Sequence, residues 1–317
     1  MPTTLVSDFQ VGQHDATSPL PGGGLTAARG SWTSPVYRKR PFDWAVASWN
    51  GTGERLEVEL RVTTPAGWSP WFTYGPWSLT GERHSVADQV FPGAGKLDAD
   101  TLLLEHPARA WQFRVTLHNA TLRRLWLCHA MKEERSVEGA NPSAWGLDLP
   151  VPLRSQMIYP NGGNVWCSPT SLAMVMAFWG RTESIPDQVV PGVYDSVYEG
   201  HGNWAFNAAY AGARGFVAWV DRFTCFADLE REIAAGRPVI CSVRYKREWL
   251  TEAVHVGNNG HLLVVRGFTP EGDVIVNDPA ADADEGVHAV YRRHNFQRAW
   301  LDRGGVVYRI QPDAQGD

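Results

Sequence analysis

The residues that could do chemistry begin with a cysteine at a helix start. Trp166-Cys167-Ser168-Pro169-Thr170 leads into a run in which Leu172, Val175, Met176 and Trp179 recur at i, i+3, i+4 and i+7. That spacing predicts a helix over 169–179, with Pro169 in its first turn and Gly180 as its cap. Unpaired amides and the positive end of the helix dipole favour a thiolate over a thiol at such a place. A thiolate is a nucleophile, and it needs a base and a group to orient that base. Alone, Cys167 reads more readily as a small buried hydrophobe. His261 and Asp278 change the balance. His261 opens the apolar run 261–268 behind Gly260, and 274–277 pairs with it as a hairpin around the turn 269–273. With the turn at one end, His261 and Asp278 share the other end on neighbouring strands. That is the arrangement of the base and orienter of a triad, the alternative being a strand-end histidine beside a turn-initiating Asp-Pro.

Gln156, then Trp166 to Met174, Gly260-His261-Leu262-Leu263-Val264-Val265 and Asn277-Asp278-Pro279 stand in the order of the papain-like cysteine peptidases. Over about 150–311 the chain most resembles the bacteriocin-processing family and its stand-alone bacterial members. The resemblance implies Cys167 as nucleophile, His261 as general base, Asp278 as orienter and Gln156 as an oxyanion donor. Asn277 competes with Asp278, because related groups use Asn. Adjacent strand residues face opposite sides, so only one of the two can face His261, and Asp278 is the one expected. Two departures stand out: Ser168 follows the cysteine where the family often has Gly, and no membrane span accompanies the domain. The second removes the ground for carrying over the double-glycine leader substrate.

Gly202-Asn203-Trp204 precedes a second predicted helix, 203–212. Asn203 and Trp204 are the candidate substrate-binding residues, with Trp204 as a specificity wall. A Trp at a helix start reads more readily as core. His201 and His255 are expected in solvated loops, and Cys225 and Cys241 receive no role. A third helix is predicted at 226–235, strands at 238–243 and 306–310, and a short helical stretch at 296–301.

These elements need a scaffold. The chain has 317 residues, 44% apolar and 20% charged, which fits two globular domains and excludes a disordered chain. Residues 1–30, rich in Ser, Thr, Pro and Gly, read as a flexible lead-in. From 31 to 132, short alternating runs separated by turns predict an antiparallel β-sandwich of jelly-roll type. A polar linker is expected at 133–149, and 150–317 as the papain-like α+β domain. Eight tryptophans (Trp32, Trp44, Trp49, Trp68, Trp71, Trp77, Trp111, Trp126) fall in the first half. They would either fill the sandwich core and domain interface or form a glycan-stacking platform.

The net charge of −5 without a basic run argues against nucleic acid, and no apolar stretch approaches the ~18 residues of a membrane span. Four scattered cysteines without a Cys-x-x-Cys pair imply neither a disulfide framework nor a structural zinc. No metal or organic cofactor is implied. No signal peptide is visible, so a cytoplasmic protein is expected, or an extracellular one if a leader has been trimmed. The expected reaction is hydrolysis of a peptide or isopeptide bond in a peptide or protein substrate, through a thioester. Acyl transfer to an amine by the same triad is the alternative, as is a glycan- or peptide-binding protein with a relict catalytic half.

Overall fold

The computed structural model describes residues 3–6, 8–134 and 137–313. Residues 1, 2 and 7 of the expected lead-in, 135 and 136 of the expected linker, and 314–317 lie outside it. The first half is a ten-stranded antiparallel assembly. Its strands are β1 (Thr3–Val6), β2 (Gln13–Asp15), β3 (Ser18–Pro19), β4 (Leu25–Thr33), β5 (Tyr37–Thr64), β6 (Gly67–Trp68), β7 (Phe72–Trp77), β8 (Gln89–Phe91), β9 (Gly95–Asp98) and β10 (Thr101–Ala130). Period-two alternation decides which side faces in. Leu56, Val58, Leu60 and Val62 of β5 are buried, as are Trp111, Phe113, Val115 and Leu117 of β10, with Val58 opposite Val115 and Leu60 opposite Phe113. On the outer face Glu59 lies opposite Arg114 and forms an ion pair with it.

The expected flexible lead-in is replaced by strands. β1 pairs with the end of β10, Thr3 opposite Cys128, and β2 and β3 pair with β4. A Ser/Thr/Gly-rich composition did not prevent this, because an open sheet edge supplies the pairing partners that the segment cannot supply itself.

Six of the eight tryptophans go inward. Trp32, Trp49, Trp77 and Trp111 are fully buried, and Trp44 and Trp126 are buried at the seam with the second half. Each indole takes about 200 Å² from water, an upper bound of roughly 5 kcal/mol. Trp68 is exposed and Trp71 half-buried, and the Arg61 guanidinium lies 4.8 and 4.6 Å from their ring centres. Among the described residues these eight therefore form no row of open rings.

The second half is a six-stranded antiparallel sheet in the order β11-β16-β12-β13-β14-β15. Its strands are β11 (Phe216–Arg222), β12 (Val239–Lys246), β13 (Gly257–Phe268), β14 (Val274–Asn277), β15 (His288–Tyr291) and β16 (Val306–Pro312); its helices are α1 (Cys167–Phe178), α2 (Val190–Val193), α3 (Trp204–Ala213), α4 (Phe226–Ala234) and α5 (Arg293–Ala299). Alternation again sorts the faces. Ile240, Leu262 and Val264 pack with α1, whereas Val239, Cys241, Leu263 and Val265 pack with α4 and α5. β11 and β15 were not expected from the sequence.

The halves share cores rather than hanging from a free linker. Ala205, Phe206 and Ala209 of α3 belong to the N-terminal core, and Trp44, Val46, Cys128 and Ala130 belong to the core around α1. The described part of the expected linker is a strap on the second half. Gly146 N donates to Phe268 O, Phe268 N to Leu147 O, and Trp145 Nε1 to Glu230.

Candidate active site

α1 starts at Cys167 itself, two residues earlier than the sequence suggested, so the cysteine occupies the first helical position. Its amide, in the first turn, has no acceptor within the helix. The side chain is half-buried and lines the same cavity as His261 and Leu262. Ser171 Oγ donates to Leu262 O at 3.1 Å, which ties α1 to β13 one turn further on.

His261 and Asp278 are both buried, and His261 Nε2 lies 2.7 Å from Asp278 Oδ1. With Nε2 engaged, Nδ1 is the ring nitrogen left for the sulfur. Asp278 Oδ1 also accepts from Ala280 N at 3.0 Å, and Oδ2 accepts from the Tyr291 hydroxyl at 2.7 Å. Asn277 points the other way. Its amide donates to Pro152 O at 3.1 Å, accepts from Arg266, and touches Met174 of α1. Strand alternation thus brings Asp278, not Asn277, to the histidine.

These contacts set the charges. Burial opposes ionisation of all three groups, but the mutual interactions outweigh it. Cys167 is held below the usual thiol range by the neighbouring His261, Asp278 is held below the usual carboxylate range, and His261 is raised to about 10. The arrangement favours a thiolate–imidazolium pair.

Gln156 is brought here by its backbone, whose N–H donates to Pro279 O at 2.8 Å, next to Asp278. Its Nε2 donates to Gly163 O at 2.7 Å, which leaves a second N–H on that nitrogen, while the buried Oε1 has no partner among the described residues. Gln156, Cys167 and His261 line one cavity of about 830 Å³, together with Asn203 and Trp204. Asn203 is buried and caps α3. Its Oδ1 accepts from Phe206 N and its Nδ2 donates to Asp195, so both ends of the amide are engaged. Ser168 is buried, and its Oγ donates to Asn207 at 2.9 Å and lies 3.1 Å from the Tyr308 hydroxyl. A hydroxyl at this position therefore joins α1 to α3 and β16.

His201 and His255 line the same cavity. His201 is half-buried against Trp166 and Tyr194 rather than solvated, and burial lowers its pKa. Cys241 is a core residue and Cys225 leans on Asp228, both with thiols pushed up by burial. Sequence reasoning missed Tyr291. Its only signal is the alternation of β15, whose last residue falls on the face that carries Asp278.

A sequence profile described as the Peptidase_C39 like family matches residues 148–308, just over half of the chain. The chain belongs to this family. It is a cysteine-type peptidase in two domains, and the first half, residues 2–132, matches the profile described as the Peptidase C39 N-terminal domain. Among solved structures, a protein described as a C39-like peptidase from Bacillus anthracis is similar at 19% identity and a TM-score of 0.38, over 53% of this chain and 98% of that one. Xylellain, a cysteine protease from Xylella fastidiosa, is similar at 10% identity and a TM-score of 0.33, over 56% and 96%. No curated protein matches the chain. C39-like membership rests on the sequence profiles. No helix among the described residues is long and apolar enough to cross a membrane.

Proposed function

We propose that this C39-like peptidase hydrolyses a peptide or isopeptide bond through a thioester on Cys167, with His261 as general base and acid and Asp278 as its orienter. The observation that supports this most is the buried Nε2–Oδ1 hydrogen bond of 2.7 Å on a histidine that shares one cavity with Cys167. The thiolate attacks the scissile carbonyl, and the charge that develops on oxygen is met by the Cys167 amide and the spare N–H of Gln156. The C–N bond breaks as His261 gives its proton to the leaving amine. A water then loses a proton to His261, attacks the thioester and releases the acid. Asn203 shapes the cleft as the cap of α3, and Trp204 walls it. We read the catalytic half as papain-like, the N-terminal half as a jelly-roll-type sandwich, and the domain limits as 31–132 and 150–317, with the strands before 31 added to the sandwich.

The test is the alkylation rate of Cys167 by iodoacetamide from pH 4 to 10, with His261→Ala beside it. The expected result is a plateau reached well below the free-thiol value of ~8.5, lost in the variant. Equal titration near that value in both proteins would overturn the reading. Cleavage of a peptide library with and without added amine then separates hydrolysis from acyl transfer: free acid is expected, and amide exchange as the main product would favour the transferase.

A further inference from the structure

The N-terminal domain reaches into the cleft. The two-residue connection between β9 and β10, Ala99-Asp100, and its neighbours Asp98, Thr101 and Leu103 line the cavity that holds Cys167. Asp100 is buried, although it belongs to a hairpin turn. Its Oδ1 accepts from Thr101 Oγ1 at 2.9 Å and its Oδ2 accepts from Trp204 N. The turn of one domain is thereby fastened to the first amide of α3 in the other.

The facing segment, residues 195–203, is fastened by the same domain. Asp195 is buried; its Oδ1 accepts from Val197 N, from Tyr198 N and, at 2.9 Å, from Ser85 N of the N-terminal half, and its Oδ2 accepts from Asn203. The Arg83 guanidinium donates to the carbonyls of Tyr194 and Pro191. Tyr198, half exposed at the tip, lines the cavity. Ala99 and Glu199, one on each of these cavity-lining segments, hold φ near +53° and +54°. Non-glycine residues adopt that region only where surrounding contacts over-determine them. An appended binding module would need none of this.

We propose that the N-terminal domain is a working part of the cleft, in which the turn at 98–103 and the 195–203 loop that it clamps form the wall that selects substrate, Asp98 meets the substrate, and Asp100 is the positioning residue. This rests on the reading of Cys167 as the nucleophile. The domain would then determine which peptides react and leave the activation of the thiol alone, since Cys167 and His261 are placed by α1 and β13.

The test uses the full chain and two kinds of reagent. Iodoacetamide needs only the thiolate, whereas a panel of peptidyl chloromethyl ketones, varied in side chain, must also fit the cleft. For Asp100→Ala, the peptidyl rates are expected to fall about tenfold or more, the scale of losing hydrogen bonds to a charged group, with the iodoacetamide pH profile kept. Asp100→Asn retains an acceptor for the α3 amide and should recover most of the loss. Asp98→Lys, a surface change in the same turn, should shift the panel by about fivefold from basic towards acidic side chains. Peptidyl rates within twofold of wild type in Asp100→Ala, or an unchanged ranking in Asp98→Lys, would overturn the proposal. Should Asp100→Ala lose iodoacetamide reactivity as well, the Asp98→Lys ranking decides. A wild-type protein with no activated thiolate would instead sink the reading of Cys167.

Discussion

Tyr291 and Asp278 meet across neighbouring strands, the phenol donating to Oδ2 at 2.7 Å while His261 holds Oδ1 at the same distance. A carboxylate engaged at both oxygens cannot swing, so the imidazole it holds keeps one tautomer and one orientation. The tyrosine touches neither sulfur nor cavity. In the proposed mechanism it would act through Asp278 as a positioning residue.

Tyr291→Phe removes this bond and keeps the ring's shape. The buried Oδ2 is then left without its donor, which costs about 1–3 kcal/mol of stability. The looser histidine should lower kcat by about three- to tenfold, within the span of general acid–base contributions, and leave KM unchanged. Steady-state kinetics and a urea titration read both. Wild-type kcat in the variant would mean that the Ala280 amide and His261 hold the carboxylate unaided.

The pH dependence follows from the directions of the shifts. In the proposed mechanism activity needs thiolate and imidazolium together, so it should rise at a pH below the ordinary thiol value and fall as His261 titrates near 10. Stability carries the same signs. The raised His261 pKa stabilises the fold fully below its unfolded value of about 6.5, and that contribution is lost as pH climbs towards 10. The lowered Asp278 pKa stabilises above about 3.9 and is lost as pH falls further. Urea midpoints measured against pH should decline at both ends. In His261→Ala the alkaline decline should flatten, and a curve parallel to wild type would refute the assignment.

Gln156→Ala separates binding from chemistry. The Gln156 amide has one N–H on Gly163 O and one to spare, and the residue lines the cavity that Cys167 lines. If the spare one meets the developing oxyanion, its loss should lower kcat by about 10²- to 10³-fold and barely move KM. A rise in KM with kcat intact would make Gln156 a ground-state contact only.

How much of this could be read from the residues depends on how local the signal is. Cys167 at a helix start, and His261 and Asp278 at one end of a hairpin, are short-range patterns, and the helices at α1, α3 and α4 follow from apolar spacing and capping. The lead-in shows the reverse. Its composition says coil, yet β1 finds its partner in β10, more than a hundred residues away. Asp100 and Asp195 were unreadable for the same reason: each owes its place to an element distant in sequence, and neither sits in a spacing that marks it. Tyr291 lies only thirteen residues from Asp278 and is marked by nothing but the alternation of β15. Tryptophan counts were ambiguous because core filling and ligand stacking need the same ring, and only packing tells them apart.

The seam between the domains offers the last test. Asn50 is buried in the N-terminal half, and its side chain imitates a strand: Nδ2 donates to Ala218 O at 2.7 Å and Oδ1 accepts from Ala218 N at 3.1 Å. Gly212 makes room for it, since a Cβ there would stand 2.4 Å from Nδ2. Trp126 stacks on Trp219 nearby, with ring centres 5.6 Å apart. Asn50→Leu would leave the Ala218 amide and carbonyl buried and unpaired, at about 1–3 kcal/mol for each group. Because α3 belongs to the N-terminal core and also carries the cleft wall, that loss should be felt by the whole chain. A single unfolding transition is expected, displaced to lower urea, with Cys167 becoming exposed to alkylation at the same midpoint as the tryptophan fluorescence changes. Two transitions, with only one of them moved by the substitution, would mean that the halves fold independently and that the clamp on the cleft is weaker than its hydrogen bonds imply.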